Sequence, residues 1–212
     1  MKKIDKSKLE RRTMKISIPE PEQRFEDGQE SSQPMILEGY AVVFEQEQTY
    51  TFGERTYTEV IKRGALDNAN MKRTVLRYNH EDTVFALARV KNGSLQLIVD
   101  DYGLKIRAEL LDTQSNRDLY KMVQAGLIDE MSFAFTVATK GDAWTYSDDW
   151  NSVYREIKAI DTVYDVSVVD NGFYEMTSVY ARAFEDADAL KEESEMRKLE
   201  IEKARVKALA SL

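Results

Sequence analysis

Between residues 37 and 169 the apolar residues come in short runs, alternating with polar ones or cut by turn dipeptides, and this texture leaves room for little besides a β-rich fold. Leu37-Glu38-Gly39-Tyr40-Ala41-Val42-Val43-Phe44 is rich in β-formers, and residues 56–61, 74–78 and 85–90 follow in the same style. Asn92-Gly93 predicts a type I′ hairpin turn between residues 86–91 and 94–99. Asp101-Tyr102-Gly103 then turns the chain into residues 104–110, which alternate with period two. The middle of the chain reads as a β-meander. One helix interrupts it, with Ser115 as N-cap, Asp118 in the capping-box position, Leu119, Met122 and Val123 on one face, and Gly126 as the stop. Strands at 131–138, 153–160 and 162–169, a polar loop at 140–152 carrying Trp144, Tyr146 and Trp150, and a short last strand at 177–181 complete the pattern.

The two ends differ from this body. Pro19, Pro21 and Pro34 bracket a polar, acidic stretch that buries too little apolar surface to offset its ordering, and the basic residues 2–12 before it read as a short helix or as disordered. Residues 1–36 are therefore expected to form a flexible arm. Residues 185–212 lack Gly and Pro and are dense in Glu, Lys, Ala and Leu. Met196, Leu199, Val206 and Ala210 mark a weak apolar stripe that Lys203 interrupts, predicting a charged amphipathic helix that docks on the body or pairs with a partner. The expected organisation is thus an arm (1–36), one domain (37–184) and a C-terminal helix (185–212). The expected fold is mainly β with a few helices (α+β), built as a single antiparallel β-barrel or closed sheet.

Composition removes several functions. The 212 residues fit one domain plus tails. Without cysteine there is no disulfide scaffold, thiolate zinc site or cysteine nucleophile. No apolar run approaches the roughly 18 residues of a membrane span. The basic start lacks the apolar stretch of a signal peptide, so an intracellular location is expected, with no membrane partner. Thirty Lys and Arg against 38 Asp and Glu give a net charge of −8, so no basic field recruits nucleic acid. A single histidine, His80, leaves no His-rich metal site.

That histidine follows an apolar run in Tyr78-Asn79-His80-Glu81-Asp82. Ser132 stands among apolar residues in Met131-Ser132-Phe133-Ala134-Phe135, just after a helix and a tight turn. Asp165 lies in phase with Val163, Ser167 and Val169, where an acid on a half-buried strand is costly unless paired. Each alone reads most simply as structural. Together they supply a hydroxyl nucleophile, a base to take its proton and an acid to orient that base. Glu81 and Asp82 are rivals for the acid, although Glu81, adjacent to His80 on an extended segment, points to the opposite face. A carboxylate pair acting on a glycan is disfavoured, because acidic clusters on hairpins are usually solvated faces.

From Gly39 to Arg182 the chain resembles the prohead (capsid maturation) proteases of tailed bacteriophages, a group distantly related to herpesvirus assemblin. The carrying motifs occur in order: Gly39-Tyr40-Ala41-Val42-Val43-Phe44, Glu59-Val60-Ile61-Lys62-Arg63-Gly64-Ala65-Leu66, Asn79-His80-Glu81, Gly93-Ser94-Leu95, Asp101-Tyr102-Gly103-Leu104, Gly126-Leu127-Ile128 with Met131-Ser132-Phe133, and Asp165-Val166-Ser167-Val168-Val169. The departures are Asn171-Gly172 for Pro-Ala, Ala134 for Gly, Ala88-Arg89 for Gly-Arg, and Asp165 for Glu.

The resemblance implies a serine endopeptidase with Ser132 as nucleophile, His80 as base and Asp165 as orienting acid, using no metal or other cofactor. Its substrates would be the scaffold, or the scaffolding segment of the major capsid protein, and the protease itself, inside a procapsid in the host cytoplasm. It favours Asn171 and Gly172 over Arg89 for the oxyanion hole, and self-association through the C-terminal helix, since assemblins become active through helix contacts in a dimer. The alternative is a non-catalytic β-barrel module that binds scaffold or capsid.

Overall fold

The computed structural model describes residues 9–15, 34–170 and 177–209. Its strands form three sheets. The first runs in the order β1 (Glu10–Lys15), β9 (Glu130–Val137), β12 (Ile160–Val169), β5 (Val75–Tyr78), β6 (Ala88–Arg89). The second has the order β10 (Asp142–Tyr146), β11 (Ser152–Ile157), β4 (Arg55–Ile61), β3 (Gln48–Phe52). The third is β2 (Met35–Val43), β8 (Gly103–Leu110), β7 (Leu95–Val99). The mainly β, α+β expectation holds. The single closed antiparallel barrel does not: each sheet is open, and β12 with β5 and β11 with β4 run parallel.

The main core lies between the first and third sheets. Met131, Phe133 and Phe135 of β9 and Val166 and Val168 of β12 pack with Ala41 and Val42 of β2 and Leu104 and Ile106 of β8, and helix α1 (Gln114–Gln124) adds Leu119 and Val123. Residues 131–135 are all buried, which makes β9 a central strand with no solvent face. The cap of α1 is Thr113 rather than Ser115. Its Oγ1 accepts the Asn116 N–H at 3.3 Å, while buried Asn116 donates to the Leu111 carbonyl at 2.8 Å and draws the helix start backward. Asn92-Gly93 does turn the chain, with Gly93 left-handed, but it joins no hairpin. Val90–Asn92 forms a 3-10 turn, and the Ser94 hydroxyl accepts the Arg89 N–H at 3.0 Å, so β6 pairs with β5 and β7 with β8.

Two elements depart further from the sequence reading. Within the stretch expected as an arm, Glu10–Lys15 is a strand of the first sheet, paired antiparallel with β9 from Glu10↔Phe135 to Lys15↔Glu130. Its anchor is electrostatic. Arg12 is 1 % exposed and forms a buried ion pair with Glu59 of β4, while Arg155 of β11 bonds Glu10 at 2.6 Å, Glu59 at 3.0 Å and Asp142 at 2.7 Å. The second departure is at residues 177–181, which open a helix, α2 (Thr177–Leu209), instead of forming a strand. Once a turn of helix exists, each added residue extends it at little cost, and no Gly or Pro interrupts this one. Ala183, Phe184 and Ala187 dock on Tyr57 and Val153, and Arg55 bonds Asp188 at 2.6 Å. Beyond that point α2 leaves the body, with Met196, Leu199 and Val206 all exposed. No helix among the described residues is long and apolar enough to cross a membrane.

Candidate active site

Strand register brings the polar residues of β9 and β12 together. β9 and β12 are antiparallel, with Ser132 opposite Ser167 and Ala134 opposite Asp165. Directly paired residues present their side chains on the same face, so Ser132, Ser167 and Asp165 share one face of the sheet. Arg12 and Phe133, paired with each other one residue along, belong to the opposite face.

The histidine arrives from β5, which pairs parallel to β12 up to Tyr78↔Val168. Two consecutive left-handed residues, Asn79 (φ 49) and His80 (φ 58), then turn the chain back over the face. Such backbone is unfavourable for residues with a Cβ, although asparagine tolerates it better than most. It persists because β12 grips it. The Asn79 N–H donates to the Val168 carbonyl at 3.0 Å, its amide donates to Asp170 Oδ1 at 2.9 Å, and the Asp170 N–H donates back to Asn79 Oδ1 at 3.2 Å. The Tyr78 hydroxyl donates to the same carboxylate at 2.7 Å, and this bond raises the phenol above its ordinary pKa.

His80 therefore lies between the serine and the acid. Its Nδ1 is 2.5 Å from Asp165 Oδ1 and its Nε2 is 2.7 Å from Ser132 Oγ. A carboxylate only accepts, so Nδ1 carries the proton of the neutral ring and Nε2 is left to accept from the Ser132 hydroxyl. The row is largely dry: the His80 and Asp165 side chains are 8 % and 11 % exposed, and Ser132 is 1 % exposed. This arrangement can draw the proton from a hydroxyl as that hydroxyl attacks an electrophile.

The rival acids lie elsewhere. Glu81 and Asp82 are exposed, and Glu81 accepts from Thr83 instead of reaching the ring. Arg89, exposed on the edge strand β6, pairs with Val75, which pairs with Asp165, so it belongs to the same face of the sheet as Asp165, two strands away. Asn171 and Gly172 lie outside the described residues. Sequence reasoning misses a role for Ser167, whose hydroxyl touches both Asp165 and His80; its signals are its place in phase with Asp165 and within the motif Asp165-Val166-Ser167. Among the described residues no three His, Cys, Asp or Glu side chains are grouped as a metal site.

The model of the caudovirus prohead serine protease family matches residues 22–192, a span containing His80, Ser132 and Asp165. Among solved structures, the bacteriophage T4 capsid assembly protease, gp21, is similar at 14 % identity over 76 % of this chain and 97 % of that one, with a TM-score of 0.47. No curated protein sequence matches the chain. With most of its length matched by that family, the chain belongs to the caudovirus prohead serine proteases.

Proposed function

We propose that this chain is a serine endopeptidase that cleaves the scaffold, or the scaffolding segment of the major capsid protein, and finally itself, within a viral procapsid assembling in the host cytoplasm. The observation that carries the reading is the hydrogen-bonded row Ser132–His80–Asp165, at 2.7 and 2.5 Å, in a chain of this family. Ser132 Oγ attacks the scissile carbonyl carbon while His80 Nε2 takes its proton. Asp165 keeps Nδ1–H turned inward and stabilises the imidazolium that forms. His80 then gives the proton to the leaving amine, and a water, deprotonated in turn by Nε2, releases the acyl group from Ser132. Asn171 and Gly172, just beyond β12, are proposed as the backbone donors to the oxyanion.

The test is co-expression with the capsid and scaffold precursors of the same virus, followed by intact-mass analysis of every chain. Wild type is expected to trim the precursors and itself. Ser132→Ala and His80→Ala are expected to leave all of them full length; trimming that persists in Ser132→Ala would overturn the proposal.

A further inference from the structure

Resting on that reading of the site, we propose that Ser167 is its positioning residue: one hydroxyl fixes the rotamer of Asp165 and the backbone of His80 together. Ser167 is wholly buried, and its hydroxyl bonds to these two residues. Its Oγ donates to Asp165 Oδ1 at 2.8 Å, accepts the His80 N–H at 3.2 Å, and lies 3.2 Å from His80 Nδ1. A hydroxyl has one proton and two lone pairs. With the proton spent on Asp165, its acceptor side faces the backbone N–H and the ring N–H of His80.

The consequence is specific to this geometry. The Asp165 oxygen that receives Nδ1–H is the same oxygen that Ser167 holds, so the carboxylate cannot rotate without breaking both bonds. The His80 N–H, directed inward by its left-handed φ of 58, has its acceptor in Ser167. Packing alone does not call for a hydroxyl here. The neighbours Val166, Val168 and Val169 are buried valines, and a β-branched apolar residue at 167 suits the strand. Wholly buried, Ser167 is a positioning and not a catalytic residue; it acts through the two groups it holds.

The experiment compares the isosteric pair Ser167→Thr and Ser167→Val, which share any strain from the added methyl and differ only in the hydroxyl. A fluorophosphonate probe reads the rate of phosphonylation of Ser132, and 15N spectra of the ring read the tautomer, without ambiguity because the chain has one histidine. Displacing a reacting group by a fraction of an ångström costs roughly tenfold or more, so Ser167→Val should label at least about tenfold more slowly than Ser167→Thr. Its neutral ring should also become a mixture of tautomers, whereas wild type and Ser167→Thr keep the proton on Nδ1. Equal labelling of Thr and Val variants would overturn the proposal, and so would slow labelling of the Val variant with its ring still wholly Nδ1-protonated. Failure of the underlying reading looks different: wild type and Ser132→Ala would label alike, while the ring spectra would still decide what Ser167 positions.

Discussion

Two buried polar clusters hang on opposite faces of the β1–β9 pair, and they are built on different physics. On one face Ser132, His80, Asp165 and Ser167 form a chain of hydrogen bonds around a single titratable ring. On the other, Arg12, Glu59, Arg155, Glu10 and Asp142 form an ion network in which Arg12 lies over the Phe135 ring and Arg155 over Trp144. The ion network is closed. Burial by itself would raise the Glu59 carboxyl, but Arg12, Arg155 and the Tyr57 hydroxyl together hold it below the ordinary carboxylate range. The other cluster is a row of hydrogen bonds in which the Ser132 hydroxyl meets His80 Nε2 at 2.7 Å. Similar burial thus accompanies two arrangements: two arginines and three carboxylates tie four strands together, while a row of hydrogen bonds through an imidazole can move a proton.

The sharpest way to break this contrast is to mutate each cluster and read both activity and stability. Ser132→Ala or His80→Ala should reduce peptide cleavage by at least about 10⁴-fold, with melting temperatures close to wild type; retained cleavage would refute the division of labour. Arg12→Ala should do the reverse. Leaving Glu59 buried with half its hydrogen bonds gone is expected to cost about 3–5 kcal/mol of unfolding free energy in urea titration. Cleavage per folded molecule should stay near wild type.

The same network sets an acid dependence whose sign follows from Glu59. Because its carboxyl is depressed in the folded state, the unfolded chain takes up that proton first. Its stabilisation is complete above the unfolded value of about 4.3 and is lost as pH falls through the folded value. Melting temperature should therefore fall more steeply from about pH 5 downward in wild type than in Glu59→Gln. Parallel curves would show that Glu59 does not carry the effect.

Asn79→Ala tests the border between the clusters' roles, since Asn79 is structural in contact but holds the site. Losing its amide bonds to Asp170 and its tolerance of φ 49 should cost about 1–2 kcal/mol and slow cleavage severalfold. The smallest effect belongs to the surface. Arg55→Ala removes an ion pair with Asp188 whose members are 35 % and 49 % exposed, and should change unfolding free energy by less than about 1 kcal/mol.

The mainly β fold and the grouping of His80, Ser132 and Asp165 are both legible in the sequence, while Ser167 and the ion network are not. Ser132 and Asp165 are polar residues within apolar runs and His80 is the one histidine of the chain; each alone reads as structural, and the order of the motifs is what groups them. The ion network is invisible for another reason: Arg11-Arg12 looks like part of a basic arm, and Tyr154-Arg155-Glu156 like an ordinary half-solvated strand. Their partners lie far off along the chain, 47 residues from Arg12 to Glu59 and 145 from Glu10 to Arg155. Residues 10–15 therefore read as part of an arm, although they complete the sheet edge beside Ser132. Likewise Thr177-Ser178-Val179-Tyr180 has strand-forming residues, yet the long run without Gly or Pro that follows makes it the start of α2.

The central claim is that Ser132 is a nucleophile made reactive by His80. Its most direct test is the mass and location of the adduct formed when the folded protein meets a fluorophosphonate. One adduct per chain at Ser132 in wild type, and none in a folded His80→Ala variant, is the expected result. An adduct at another residue, or undiminished labelling of Ser132 without His80, would contradict it.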